Sequence, residues 1–199
     1  MARKTKEEAL KTKISILDSA LSLIYERGYS KTSLVDIAKQ LGLTKGAVYW
    51  HFESKKDLFI TLIKDISEKM DKILDPIARK IKTPNDLKSF FHEYALVVAQ
   101  DQQINKFFNI LVYKIEWNED LSDATELLNQ NDDEIILYIE YLFKKWKKKK
   151  IISKDIEPLK TAKVLISHFY GVVYDSATES DLIELVDISM DIFFKGIEK

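Results

Sequence analysis

The sequence predicts an all-α fold, and three of its features carry that prediction. Apolar residues recur at helical spacing along most of the 199-residue chain, and no stretch shows the sustained apolar–polar alternation that a half-buried strand requires. The chain contains only five glycines, and it shows no internal repeat. We therefore expect an almost wholly helical chain in which helices pack against helices.

Composition excludes several classes of function. The hydrophobic content of 46% can supply a core, but the absence of cysteine excludes disulfides, thiolate metal clusters and a cysteine nucleophile. The three histidines, at positions 51, 92 and 168, form no pair at metal-ligand spacing. No Gly-rich phosphate loop and no nucleophile elbow occurs either. We predict no catalytic residues, no metal and no cofactor, and hence no enzyme.

Hydropathy predicts a cytoplasmic protein. The first residues are basic and lack the apolar segment of a secretory signal peptide. No window reaches the length of uninterrupted apolar residues that a membrane span needs. We therefore expect no membrane association.

The net charge of −1 conceals an asymmetry between the two ends of the chain. Residues 1–56 hold 11 Lys and Arg against 6 Asp and Glu, whereas the remainder holds 20 against 26. Because phosphate neutralisation is the main sequence-independent source of DNA affinity, a basic end joined to an acidic body suits a DNA-binding protein. An accidental bias of the surface is the alternative.

The first helix is predicted near the N-terminus, where apolar residues recur three and four positions apart. These residues are Ile14, Leu17, Leu21 and Ile24. Gly28 follows and is predicted to end the helix. Residues 1–13 carry five basic side chains, so we expect either an arm that touches DNA phosphates or a frayed, solvated terminus.

Residues 34–52 are predicted to form two short helices joined by a tight turn, which is a helix-turn-helix. Ala38 is small enough for the helices to cross closely, and Gly42 can adopt the positive φ that the turn needs. Ser33, with Asp36 three residues later, has the pattern of a helix N-cap. The apolar residues of the motif are Ile37, Leu41, Leu43, Val48 and Phe52. The residues left facing outward are Thr44, Lys45, Gly46, Tyr49, Trp50 and His51.

Six more helices are predicted after the helix-turn-helix. Ser54 and Asp57 repeat the capping pattern, so a long fourth helix is expected to start at Lys55 and to continue to about residue 81. A further cap and first turn are predicted at Thr83 and Pro84. The remaining helices are expected at about 85–100, 104–117, 122–150, 159–178 and 180–197.

Residues 32–38, 42–52 and 55–59 together resemble the TetR family of transcriptional repressors, over about 50 residues. The opening residues 1–6, the block 47–52 and the chain length are further similar to the AcrR-type branch, which controls multidrug efflux pumps. The resemblance implies a homodimer of nine-helix subunits. It also implies a DNA-binding domain at 1–54 and a ligand-binding and dimerisation domain at 55–199.

By this resemblance, the third helix enters the major groove of DNA. The residues implied to contact DNA are Thr32, Ser33, Thr44, Lys45, Gly46, Ala47, Tyr49, Trp50, His51 and Lys55. Residues 44–46 approach base edges or the adjoining backbone, whereas 49–51 and Lys55 mainly fix phosphates. Thr32 and Ser33 cap the second helix and reach the facing strand. Ala47 replaces the hydroxyl or amide found in many members, and it retains only contact with a thymine methyl.

The body carries more aromatic rings than a plain helical bundle requires, and rings lining a cavity can hold planar, apolar or cationic compounds. For any single ring, ordinary core packing is the alternative. Glu93 and Glu116 are expected either to attract a cation there or to face water. The candidate ligand-binding residues are Phe90, Glu93, Tyr94, Phe107, Phe108, Leu111, Tyr113, Glu116, Trp117, Tyr138, Tyr141, Phe169 and Tyr170.

The last two helices would form the dimer surface in the layout that the resemblance implies. Two helices from each subunit make a four-helix bundle. The candidate interface residues are Leu165, Phe169, Val172, Val173, Leu185, Ile188 and Ile192. A dimer would hold two recognition helices one DNA turn apart, so that both read a palindrome.

The sequence therefore favours a repressor that binds a palindromic operator and is released by a small hydrophobic or cationic compound, with an efflux pump as its target. A ligand that prefers a conformation with displaced fourth helices would weaken DNA binding. One alternative is a DNA-binding regulator whose body docks a protein partner and has no small-molecule inducer. A second is a helical adaptor or enzyme without specific DNA binding.

Overall fold

The computed structural model describes residues 6–176 and 181–198, and these residues confirm the all-α prediction. They form nine α-helices, which are α1 (Lys6–Arg27), α2 (Leu34–Gln40), α3 (Lys45–Tyr49), α4 (Lys55–Ala78), α5 (Pro84–Gln100), α6 (Gln102–Asn109), α7 (Ser122–Lys148), α8 (Pro158–Ser176) and α9 (Leu182–Ile197). A π-helical turn, Ile110–Lys114, follows α6, and a 3₁₀ turn, Glu119–Leu121, precedes α7. Within the described ranges, no helix is long and apolar enough to span a membrane.

Residues 6–13 belong to the first helix, because α1 begins at Lys6. Lys11 forms an ion pair with Glu7 at 2.8 Å, and the Thr12 hydroxyl donates to the Glu8 carbonyl. In each pair the two residues lie one helical turn apart, and such pairs stabilise a helix. The expectation of an arm is therefore wrong for residues 6–13, and residues 1–5 lie outside the described part of the chain.

The predicted helix at 104–117 is the second difference. The regular helix α6 starts at Gln102 and gives way to the π-helical turn at Ile110, and Ile115 is already extended. The Lys114 carbonyl accepts a 2.7 Å hydrogen bond from the Tyr29 amide, in the turn that follows α1. This partner is distant in the sequence, so local spacing could not place the end of the helix.

The chain divides into two compact units. The first unit comprises the residues up to Ser67 together with Lys106–Thr125, and the second comprises Glu68–Asn105 together with the residues from Glu126 onward. The predicted domains at 1–54, for DNA binding, and at 55–199, for ligand binding and dimerisation, do not correspond to these two units and stay a prediction.

The core of the first unit explains how the helix-turn-helix is held. Ile37 of α2, Val48 of α3 and Phe52 are almost fully buried, and Ala38 is buried where α2 and α3 meet. Gly42 has a φ of 64° in the turn between them, as predicted. Burial of one face of α3 leaves its opposite face toward solvent.

Ser33 caps α2 as expected. Its hydroxyl accepts a hydrogen bond from the Asp36 amide, while the Asp36 carboxylate accepts one from the Ser33 amide at 3.0 Å. The Ser33 hydroxyl also donates to the Asp36 carboxylate, and this hydrogen bond, together with the one from the Ser33 amide, lowers the pKa of Asp36 because both favour its ionised form. The same reciprocal arrangement between Thr83 and Asp86 starts α5. Both predicted helix starts are confirmed.

The second unit contains α5, α8 and α9, which pack against one another. Its interior includes Phe91 of α5, Phe169 of α8 and Phe194 of α9, all almost fully buried. The C-terminal end of α7 is anchored by Trp146, whose buried indole donates to the Lys82 carbonyl at 2.8 Å. Aromatic packing therefore contributes much of this unit's interior.

Removing the cap of α2 should destabilise the helix-turn-helix. Ser33→Ala leaves the Asp36 amide without its partner, so we expect the free energy of unfolding to fall by about 1 kcal/mol in urea denaturation. Gln40→Ala, at an exposed position of the same helix, serves as the control and should change it little. Equal losses in the two variants would contradict the capping role.

Candidate nucleic-acid interface and ring cluster

The outer face of α3 is the most distinctive surface of the first unit. Thr44 caps the helix, and its hydroxyl accepts a hydrogen bond from the Ala47 amide at 3.2 Å. Val48 points into the core. Thr44, Lys45 and Gly46 are exposed on the other side, and a Cβ added to Gly46 would meet nothing within 4 Å. The start of α3 is therefore an open surface.

Two aromatic side chains and a cation continue this surface. The Lys45 ammonium lies 5.2 Å from the centre of the Tyr49 ring, and Tyr49 is exposed. Trp50 is 72% exposed, and its ring meets the half-buried His51 edge-on at 4.6 Å. An indole of this size gains by burial, so its exposure indicates a surface that a partner can cover. We call Thr44, Lys45, Gly46, Tyr49 and Trp50 the α3 surface. Ala47 is half-buried beside it.

Thr32 lies inside the first unit. It is 2% exposed, and its hydroxyl donates to the Gly28 carbonyl at 2.9 Å and to the Leu23 carbonyl at 3.3 Å. The prediction that Thr32 caps α2 together with Ser33 is wrong, because its hydroxyl instead ties the turn to the end of α1. Ser33 alone is exposed next to the helix start.

Lys55 also has an internal partner. Its ammonium donates to the Tyr29 carbonyl at 2.8 Å and lies 4.1 Å from the centre of the Tyr29 ring. Burial lowers its pKa, and the nearby Glu116 partly opposes this effect. Because the ammonium is occupied within the unit, the expected phosphate contact by Lys55 does not fit this geometry. Spacing gave no sign of Tyr29 as its partner.

The candidate ligand-binding residues separate into two groups. In the first unit, Phe107 and Phe108 are buried, Leu111 is half-buried, and Tyr113 and Trp117 are exposed. Glu116 accepts a hydrogen bond from the Ser30 hydroxyl. It therefore stabilises the turn after α1, and its expected place beside a ligand cavity is not supported.

The second unit brings four of the predicted residues together. Tyr94 of α5 lies 4.9 Å from Phe169 and 6.4 Å from Tyr170, both of α8, and Phe90 lies 6.4 Å from Tyr94, measured between ring centres. Phe91 packs 4.7 Å from Phe169. Three other candidates take no part: Glu93 is exposed, Tyr138 donates to the Ala78 carbonyl, and Tyr141 is exposed next to Lys145.

Three members of this group, Phe91, Tyr174 and Asp132, were not among the candidates at the sequence level. Tyr174 stacks on Tyr170 with a ring-centre distance of 5.5 Å and an interplanar angle of 9°. Asp132 of α7 accepts a hydrogen bond from the Tyr170 hydroxyl. We call Phe90, Phe91, Tyr94, Phe169, Tyr170 and Tyr174 the ring cluster. The spacing of Leu128, Asp132, Ile135 and Ile139 places an acid on the apolar stripe of α7, and that signal could have identified Asp132.

Burial changes the acid–base behaviour of this group. It raises the pKa of Tyr94 and of Tyr170, and it raises the pKa of Tyr174 to about 12. Burial also raises the pKa of Asp132, although the hydrogen bond from Tyr170 acts in the opposite direction. The phenols therefore stay neutral at ordinary pH, and Asp132 is the group whose charge can change most readily.

The candidate dimer residues differ in whether their side chains face the interior or the solvent. Leu165, Phe169 and Val173 are buried in the interior of this single chain, so their assignment to a surface between two copies is wrong. Val172 and Leu185 are half-buried. Ile188 is 50% and Ile192 64% exposed on α9, and the sequence reasoning missed Val164, which is exposed on α8. Helical periodicity identified the apolar stripes but could not tell which faced inward.

Comparison with known proteins agrees with this arrangement. Residues 16–62 match the family described as bacterial regulatory proteins, tetR family. The chain is 32% identical over 177 residues to the transcriptional regulator AcrR of Shigella flexneri, covering 87% of this chain and 81% of that protein. It is 35% identical over 135 residues to the probable transcriptional regulator ArpR of Pseudomonas putida, where the match covers 63% of this chain and 61% of ArpR, less than two thirds of its length.

The fold is also similar to that of a solved structure. NalD, described as the secondary repressor of the MexAB-OprM multidrug efflux pump in Pseudomonas aeruginosa, superposes with a TM-score of 0.82 at 25% identity. The superposition covers 96% of this chain and 98% of NalD. The helix-turn-helix, the helical body and the identity to AcrR over most of both chains lead to one conclusion. The chain is a member of the TetR family of bacterial regulatory proteins.

Proposed function

We propose that this regulator is a cytoplasmic repressor that binds a palindromic operator as a dimer and is released by a small hydrophobic or cationic compound. The observation that carries the proposal is the α3 surface. Its cation and aromatic groups are held by a buried helix-turn-helix core, yet they contribute little to that core. We further propose that its operator controls an efflux pump, by analogy with NalD.

The chemistry of the α3 surface suits the major groove of DNA. Lys45 can reach a guanine acceptor or a phosphate, and the Tyr49 hydroxyl and the Trp50 indole can donate to phosphate oxygens. Gly46 adds no side chain, so the backbone there can approach DNA closely. In this proposal, Ser33 contacts the backbone beside the start of α2, whereas Thr32 and Lys55 support the module from within.

Dimerisation supplies the second α3 surface that a palindromic operator requires. Val164, Ile188 and Ile192 are large apolar side chains exposed on α8 and α9. A second copy can cover them in a four-helix bundle. A two-fold axis between the copies would present two α3 surfaces to successive turns of the same DNA face, about 34 Å apart.

Release requires a ligand that binds one conformation of the protein better than the other, because the shift in DNA affinity equals this difference. The ring cluster of the second unit offers the apolar faces for such a ligand. Unlike the alternative of a docked protein partner, this account names a side-chain group in the body that can bind a small molecule.

A gel shift with the DNA upstream of the protein's own coding region tests the proposal. We expect a complex that resists competition by random duplex and that hydrophobic or cationic compounds dissociate. Footprinting of that complex should reveal two related half-sites. Equal affinity for the upstream fragment and for random duplex would remove the main support for a repressor.

The role of Lys45 can be separated from general charge. Lys45→Ala should cost about 1 to 3 kcal/mol of operator binding and relax discrimination at one base position, because it removes a contact to a base edge or its adjoining phosphate. Fluorescence anisotropy with labelled operator and random duplex measures both effects. Lys154→Ala removes the same charge from an exposed site of the second unit, and an equal loss there would contradict the assignment.

The dimer surface can be tested with a charge. Ile192→Glu places a carboxylate at the proposed interface, so we expect a monomer in light scattering and a loss of about 100-fold in operator affinity as bivalency is lost. Leu137→Glu is the matched control, because Leu137 is similarly exposed but lies on α7. Dimers that survive Ile192→Glu would place the interface elsewhere.

A further inference from the structure

The outer face of α7 carries large apolar side chains that stand largely in solvent. Leu137 and Tyr141 are each 58% exposed, and they lie one helical turn apart. The opposite side of the helix faces the interior, where Ile139 and Leu142 are almost fully buried. The Lys145 ammonium lies 5.9 Å from the centre of the Tyr141 ring. Neighbouring exposed apolar residues on one helix face indicate a surface that a partner can cover.

The charged side chains of the same face are segregated along the helix. Glu126 and Asp133 are exposed on the N-terminal side of the apolar pair. Lys144 and Lys148 are exposed on its C-terminal side, where Lys144 forms an ion pair with Glu140 at 2.7 Å. Within the described ranges, the other three form no ion pair. The helix dipole acts mainly on the first and last turns, so it does not account for Asp133, about three turns into α7.

This order of charges makes the face complementary to itself. When two α7 helices lie antiparallel with Leu137 opposite Leu137, residues equally far before and after this position meet. Glu126 and Lys148 are both 11 positions from Leu137. At 3.6 residues per turn, both point within about 20° of its direction, so the carboxylate of one copy meets the ammonium of the other. Asp133 and Tyr141 are both four positions away, so the phenol of one copy can donate to the carboxylate of the other.

Other partners fit this face less well than a second copy does. A parallel pairing would place Glu126 against Glu126 and Lys148 against Lys148, and like charges at an interface repel. A polyanion such as DNA suits only the basic end, because Glu126 and Asp133 would repel it. An antiparallel second copy satisfies the acidic end, the basic end and the exposed apolar pair at the same time. By two-fold symmetry, each of these contacts is made twice.

We propose that the outer face of α7 is an interface between copies of this chain, in which two α7 helices pair antiparallel about Leu137. It uses a different helix from the α8 and α9 surface assigned to the dimer, so it would join one dimer to the next. The inference goes beyond the proposed function, since the pairing needs neither operator nor inducer. One helix face makes a small interface, so we expect it to form only at protein concentrations of roughly 100 μM or more.

Charge exchange tests the pairing by sedimentation velocity of the full chain, over a concentration series that extends above roughly 100 μM. Glu126→Lys places a lysine opposite Lys148, and Lys148→Glu places a glutamate opposite Glu126. Each variant alone should therefore weaken association between dimers about tenfold or more. An equimolar mixture of the two should recover it. In the mixture, the introduced lysine faces the introduced glutamate, and the unchanged Lys148 faces the unchanged Glu126.

Lys149→Glu is the matched control, because it makes the same charge change at an exposed position that points about 120° away from Leu137. It should leave association unchanged. Leu137→Glu places two carboxylates opposite each other, so it should abolish association between dimers and retain the dimer itself.

Wild-type dimers that do not associate further, or a mixture of Glu126→Lys and Lys148→Glu that does not recover association, would overturn the inference. An equal loss in Lys149→Glu would also overturn it, because net charge would then explain the effect. Operator binding in the same preparations reports separately on the proposed function and on folding. Loss of operator recognition in the wild type would therefore contradict the repressor, and not the pairing of α7.

Discussion

A five-residue helix cannot hold its shape by its own hydrogen bonds, and the DNA-facing part of this protein depends on that constraint. The helix α3 persists because Val48 is buried, Thr44 caps its start, and the Gly42 turn sets its approach to α2. The same packing leaves Lys45, Tyr49 and Trp50 outside. The proposed DNA surface is therefore a consequence of core packing, since the buried face of α3 decides which side chains remain outside.

In the first unit, several polar groups make internal hydrogen bonds that hold its turns, so they do not serve binding. Thr32 ties the turn before α2 to the end of α1, and Lys55 covers the Tyr29 ring while it binds the Tyr29 carbonyl. The Tyr29 amide in turn donates to the Lys114 carbonyl at the end of the π-helical turn. Segments that are far apart in the sequence thus support one another next to the helix-turn-helix. These contacts hold the turns that surround the helix-turn-helix.

The second unit differs from the first, because it keeps a carboxylate and three phenols within an otherwise apolar interior. Burial of polar groups without full compensation reduces stability, so these groups offset part of the stability that the apolar packing of the unit supplies.

The sequence by itself determined the features that depend on neighbouring residues. The caps at Ser33 and Thr83 and the glycine turn at Gly42 involve partners within a few positions, and all of them are confirmed. Helical spacing is confirmed for the all-α fold but not for the end of the helix predicted at 104–117. The family resemblance from residues 32–59 is likewise confirmed, because it rests on a contiguous motif. Only the tertiary structure decided which polar groups are free to act. Partners inside the first unit occupy Thr32, Lys55 and Glu116. In the second unit, Leu165 faces the core, and Asp132 of α7 meets Tyr170 of α8. The physical reason is that the exposure of a side chain depends on which distant helix packs against it.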